Sequence, residues 1–210
     1  MANKRFSGVE NKITVDYSEQ VIDLFHRHIE SCMYTMEALG EGIAQASECL
    51  VASMLQEHKI ICCGEGNSGL IAHHLATNLL NSFQHERPAL PAMVLSSDAA
   101  NAIAADSSYN DIYANQIRAL GQAGDCLVLC YNGGGASATL RAIQAAHERN
   151  MRVISLSNMK GGDASALLLP DDIELTFPVE DRARAIEMQL VAVHSICELI
   201  DTQLFGTPHE

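Results

Sequence analysis

The sequence predicts an α/β fold, a three-layer αβα sandwich on a five-stranded parallel sheet preceded by a helical pair, and three observations carry that expectation. Five short apolar runs, KIICC, AMVL, CLVLCY, RVISLS and DIELTF, lack the polar alternation of strands with one wet face, so each is expected to be covered on both faces. Helical stretches separate the runs, as right-handed crossovers between parallel strands require. Ahead of them, apolar residues recur at three- and four-residue spacing.

In chain order, that leading period runs from about Asp16 to Gln56 through Val21, Leu24, Phe25, His28, Ile29, Cys32, Met36 and Leu39, then Ile43, Ala46, Leu50 and Met54. Two helices joined near Gly40 to Gly42 fit it. The strands then alternate with helices expected near Ser68 to Phe83, Asp111 to Gly121 and Ala136 to Asn150, with a short one near Ala164. A last helix spans about Arg182 to Leu204, and the closing GTPHE reads as frayed. The expected organisation is a flexible extension over 1–15 and one domain over 16–210, since 210 residues suit a single core at roughly 150 per domain.

Composition excludes several classes. At 48% apolar and 19% charged, the chain has material for a core and is neither disordered nor collagen-like. Thirteen Lys and Arg against 26 Asp and Glu leave a net charge of −13, which argues against direct nucleic-acid binding but leaves room for a small anion held by backbone N–H groups. The apolar runs are too short to cross a bilayer and MANKRFSGVENK has no hydrophobic signal region, so no membrane contact and a cytoplasmic location are expected. Seven cysteines, none in a CxxC spacing, read as buried reduced thiols.

A ligand is expected beyond the carboxyl ends of the strands, where loops enter helices. Those loops are GEGNSG (Gly64 to Gly69), SSDAAN (Ser96 to Asn101), YNGGGAS (Tyr131 to Ser137) and SNMKGGDAS (Ser157 to Ser165). Gly66, Asn67, Ser68, Asp98, Asn132, Gly133, Gly134, Gly135 and Ser137 are the candidate ligand-binding residues. Small residues there let backbone approach an anion, although tight βα turns alone also use glycine. GEGNSG matches the GxGxxG dinucleotide fingerprint only loosely. Asp98 stands too far along to hold a ribose, and Glu65 would repel the pyrophosphate.

The order of these features, with GEGNS, ERPALPA, IRALGQAGD and IDTQLF, resembles the SIS (sugar isomerase) domain family, in the branch of phosphoheptose isomerase and the DnaA initiator-associating protein. The resemblance covers nearly the whole chain after about Asp16, and RALGQAGD and IDTQLF look more like the initiator-associating subgroup. It implies a homotetramer with sites between subunits. It also implies an enediol isomerisation in which a Glu and a His move protons.

Aligned on that pattern, the family Glu falls at Asn78 and the family His at His194. A second His, which some members use for zinc, falls at His74, and the zinc-binding Gln falls at Ile186. No cofactor and no tight metal site are expected, with His74 and His194 the donors a degenerate zinc site would keep. In place of a Ser/Thr-rich phosphate loop stand Tyr131 to Ala136, with Ser68 retained and Ser137 displaced by one position. At about 1 kcal/mol per hydrogen bond, four lost hydroxyls cost ~4 kcal/mol, roughly a thousandfold in affinity.

Candidate surrogate bases are Glu65, His73, Asp98, Asp106 and Glu187. Glu187 faces the same side of its helix as His194 but is expected to pair with Arg184, and Asp106 and Asp111 read as turn and helix-start residues. The resemblance therefore implies a degenerate site, with His194 the acid/base and Glu65 the stand-in if any chemistry persists. The expected protein is a homotetramer that binds a sugar phosphate or a replication-initiator protein. The alternative is an active isomerase converting sedoheptulose 7-phosphate to D-glycero-D-manno-heptose 7-phosphate.

Overall fold

The computed structural model describes residues 16–133, 137–158 and 162–206. Its elements are α1 (Tyr17–Leu55), β1 (Ile60–Gly64), α2 (Ser68–Leu80), β2 (Ala92–Val94), α3 (Ser97–Asp106), α4 (Ala114–Leu120), β3 (Cys126–Cys130), α5 (Ser137–Glu148), β4 (Arg152–Asn158), β5 (Ile173–Phe177) and α6 (Arg182–Phe205). Short 3₁₀ helices lie at Tyr109–Asp111 and Gly162–Leu167, the second at the short helix expected near Ala164. All five strands are parallel, in the order β2-β1-β3-β4-β5.

One apolar cluster packs α1, α2 and α6 on one sheet face, and a second packs α4 and α5 on the other. Alternate residues of one strand serve opposite clusters: Cys62, Val128 and Leu156 on one side, Ile61, Leu127 and Val153 on the other. This explains the unbroken apolar runs. Buried Gln189 ties α6 to the sheet, its Nε2 donating to the carbonyls of Tyr131 (3.0 Å) and Leu156 (3.1 Å).

Two expectations change. The leading pair is one helix of 39 residues, uninterrupted at Gly40 and Gly42. A glycine inside a helix costs about 1 kcal/mol, but Gly42 answers a packing need: a Cβ there would lie 2.8 Å from Leu175 Cδ2 of β5. SSDAAN is not a loop, because Ser96 caps α3 by accepting from the Ala99 N–H at 3.3 Å. Elsewhere only ends move; α2 stops at Leu80, and Asp111 sits in a 3₁₀ turn before α4.

All seven cysteines are free thiols, six buried and Cys32 half-buried. Among the described residues no helix is long and apolar enough to cross a membrane. The expected extension over 1–15 and the last four residues, 207–210, lie outside the described residues.

Candidate functional site

The carboxyl ends of β1 and β3, where chain connections diverge to opposite sides of the sheet, open into a cavity of about 560 Å³. Gly64 ends β1 in a place with no room for a side chain: a Cβ would come 2.7 Å from the Cys130 carbonyl oxygen and 2.8 Å from that of Ser68. Gly66 follows with φ +53°, and α2 begins at Ser68. From the connection after β3 comes Asn132, and from the first two turns of α6 come Arg182, Ile186 and Glu187. The Ser68 hydroxyl and Asn132 Oδ1, both in the cavity wall, are buried without a hydrogen-bond partner. Buried polar atoms of this kind favour a ligand that can bond to them.

Glu65 lines the cavity, but its carboxylate is engaged by the buried Thr139 hydroxyl, which donates to Oε1 at 2.6 Å. Gly133 is described, with φ +83°, and Ser137 is the exposed first residue of α5. Gly134 and Gly135 lie outside the described residues. Asp98, Asp106 and Ser137 do not line the cavity; Asp98 and Asp106 are exposed on α3. A neighbouring cavity of about 600 Å³ takes His73, Ser96, Asn101 and Tyr113, with Tyr109 shared between the two.

The residues aligned with the family's proton-transfer groups meet elsewhere, at the contact of α2 with α6. His74 Nε2 lies 2.9 Å from His194 Nε2, and Asn78 Nδ2 lies 3.2 Å from His74 Nε2. The imidazoles meet edge to face at 5.1 Å between centroids, and the Phe83 ring lies 5.4 Å from that of His194. Burial, then the neighbouring His74, lowers the His194 pKa from its ordinary value. Neither imidazole lines the 560 Å³ cavity.

The donors here are two imidazoles and a carboxamide. Among the described residues no three of His, Cys, Asp and Glu gather as metal ligands, and Ile186 brings no lone pair. Two turns before His194, Glu187 makes the expected ion pair with Arg184 at 2.7 Å. A second contact that spacing did not reveal brings Glu187 Oε2 within 2.7 Å of His28 Nδ1 on α1. A partner 159 residues away leaves no local pattern.

Residues 24–158 match the SIS domain model. The chain is 41% identical over 195 residues to the phosphoheptose isomerase of Chromohalobacter salexigens, covering 92% of this chain and 99% of that protein. It is 40% identical over 194 residues to the DnaA initiator-associating protein DiaA of Enterobacter sp. (strain 638), covering 91% and 98%. The solved phosphoheptose isomerase of Francisella tularensis superposes with a TM-score of 0.85 at 34% identity, over 90% of this chain and all of that one. Fold, motif order and these likenesses agree: the chain belongs to the SIS domain family, among relatives named phosphoheptose isomerase and DnaA initiator-associating protein.

Proposed function

We propose that this SIS-domain protein does not isomerise sugar phosphates and works by binding, as a homo-oligomer that presents repeated surfaces to a replication-initiator protein of the kind its DiaA relatives are named for. One observation carries the reading: the side chain beside the His74–His194 pair is the Asn78 amide. An enediol isomerisation needs a base that takes a proton from carbon and returns it, and a carboxamide does neither near neutral pH. The two carboxylates among the described residues lining the cavity are engaged, Glu65 by Thr139 and Glu187 by His28 and Arg184. Two imidazoles and an amide also make a poor zinc site, so no tight metal binding belongs to this reading.

Oligomerisation is supported by the outer face of α1, where Phe25 is 66% exposed and Met36 65%, on the same helix as the exposed Ile29 and Met33. Several copies of a weak surface on one assembly bind far more tightly than one. The net charge of −13 suits a partner with basic surface and disfavours direct contact with nucleic acid; a cytoplasmic setting fits both. A second reading, a retained sugar-phosphate site, is favoured by the partnerless Ser68 hydroxyl, which can donate to a phosphate oxygen, by Arg182 in the same wall, and by the partnerless Asn132 Oδ1, which can accept from a sugar hydroxyl.

The test incubates the protein at high concentration with sedoheptulose 7-phosphate in deuterium oxide. No product and no deuterium at the exchanging carbon are expected, alongside saturable binding of purified DnaA. Turnover that His194→Ala abolishes would restore the isomerase alternative and overturn the proposal.

A further inference from the structure

At the amino ends of β3 and β4, the sheet edge opposite the cleft, two thiols and a guanidinium from three elements meet. Cys49 of α1 and Cys126, the first residue of β3, hold their sulfurs 3.8 Å apart across 77 positions of chain. Arg152, the first residue of β4, points Nη1 at Cys49 Sγ from 3.6 Å. A disulfide of about 2.0 Å needs the sulfurs to approach by about 1.8 Å, a shift that side-chain rotation and a small backbone adjustment can share.

Charge makes the two thiols unequal. The hydrogen bond from Cys126, then the Arg152 guanidinium, hold the Cys49 thiol below its ordinary value against the pull of burial. Cys126 is pushed up, first by that hydrogen bond and then by burial, so it keeps its proton and donates it. Burial also pushes Cys62, Cys63, Cys130 and Cys197 up, which keeps those thiols inert. Access follows the same division: Cys49 keeps 7% of its surface beside exposed Arg152, whereas Cys126 keeps 1%. Cys49 also faces away from the exposed apolar side of α1, since the 13 positions from Met36 turn the helix by about 140° net.

We propose that Cys49 and Cys126 are a peroxide-responsive pair, Cys49 the attacking thiolate and Cys126 the resolving thiol, that closes a reversible disulfide between α1 and β3. The Cys49 sulfur attacks one oxygen of hydrogen peroxide and the O–O bond breaks. Cys49 becomes a sulfenic acid, and the leaving hydroxide takes up the proton that the thiol released. With the Cys49 charge gone, the repulsion that holds Cys126 up is lifted and Arg152 favours its thiolate. That sulfur attacks Cys49, the S–O bond breaks, and hydroxide leaves with the Cys126 proton as a second water. Two thiols lose two electrons, one peroxide is reduced to two waters, and one S–S bond forms. The cross-link ties α1 to the strand from which the chain runs into Asn132 of the cleft, and disulfides of this transient kind are the ones a reducing compartment tolerates.

The test adds a small excess of hydrogen peroxide to the reduced full-length chain near neutral pH, blocks the remaining thiols with iodoacetamide and maps peptides without reductant. A mass loss of two hydrogens, a peptide joining Cys49 to Cys126 and reversal by dithiothreitol are expected, at a rate about tenfold above that of glutathione. Cys126→Ser should stop at a Cys49 sulfenic acid that dimedone labels. Arg152→Gln should slow the reaction severalfold while Arg152→Lys keeps part of the rate. A wild type whose Cys49 and Cys126 both stay open to alkylation overturns the proposal without any variant. So does a disulfide that joins other cysteines or separate chains, a rate no greater than that of glutathione, or a folded Cys126→Ser protein that takes no dimedone at Cys49.

Discussion

His74 Nε2 and His194 Nε2 face each other at 2.9 Å, so a single proton fits on the line between them and the doubly charged pair is disfavoured. Burial and then His74 lower the His194 pKa below its ordinary 6.5. Between those values the unfolded chain binds more protons than the folded one, so stability rises with pH. The favourable balance is fully present above about pH 6.5 and is lost as the pH falls through that value towards the lower folded pKa. Melting temperature should therefore drop from about pH 7 to about pH 5, and His194→Gln should flatten that drop. Parallel profiles for the two proteins would show that the pair does not titrate in this way.

Asn78 Nδ2 stands 3.2 Å from His74 Nε2, so a glutamate there, one methylene longer, can bring a carboxylate oxygen to the imidazole pair. Asn78→Glu should turn two imidazoles and a weak neutral donor into two imidazoles and a charged oxygen ligand, as zinc prefers. Calorimetric titration should find zinc binding tightened at least about tenfold over wild type, a ratio worth ~1.4 kcal/mol. Chelator should then lower the melting temperature of the variant alone. Equal affinities would mean that position 78 does not govern this site.

Some of this arrangement was legible in the chain. The strands were readable because two-sided burial removes alternation, and the cleft was readable because GEGNSG and YNGG must turn at strand ends. Less legible was whatever depends on a distant partner. Gly40 and Gly42 read as a break, but the need for Leu175 to approach Gly42 outweighs the local cost and α1 continues. The engagement of Glu65 by Thr139, 74 positions away, likewise leaves no periodic trace. The same limit hides His28 from any reading of α6 alone, since α1 supplies it.

The end of β1 is the least forgiving point of the cleft. A Cβ on Gly64 would meet two backbone oxygens at 2.7 and 2.8 Å, and neither can swing aside as a side-chain tip can. Gly64→Ala should cost about 2–3 kcal/mol, at the upper end of overpacking penalties, and lower the urea midpoint. A loss below about 0.5 kcal/mol, the range of neutral surface changes, would show that the β1–α2 junction is softer than its geometry.

On α1, Phe25 is 66% and Ile29 52% exposed in the single chain, so glutamates there meet water and should shift folding stability by no more than about 0.5 kcal/mol. If the face is covered by a second copy, the same glutamates enter an apolar interface, where an unpaired charge costs several kcal/mol. The two settings give opposite readings in one experiment. Phe25→Glu with Ile29→Glu should reduce the mass found by sedimentation equilibrium while far-UV circular dichroism stays at the wild-type level. The loss should deepen at low salt, where added acidic charge on a −13 chain is least screened. A monomeric wild type, or an unchanged assembly in the variant, would remove this face from the interface and with it the multivalent part of the proposed binding role.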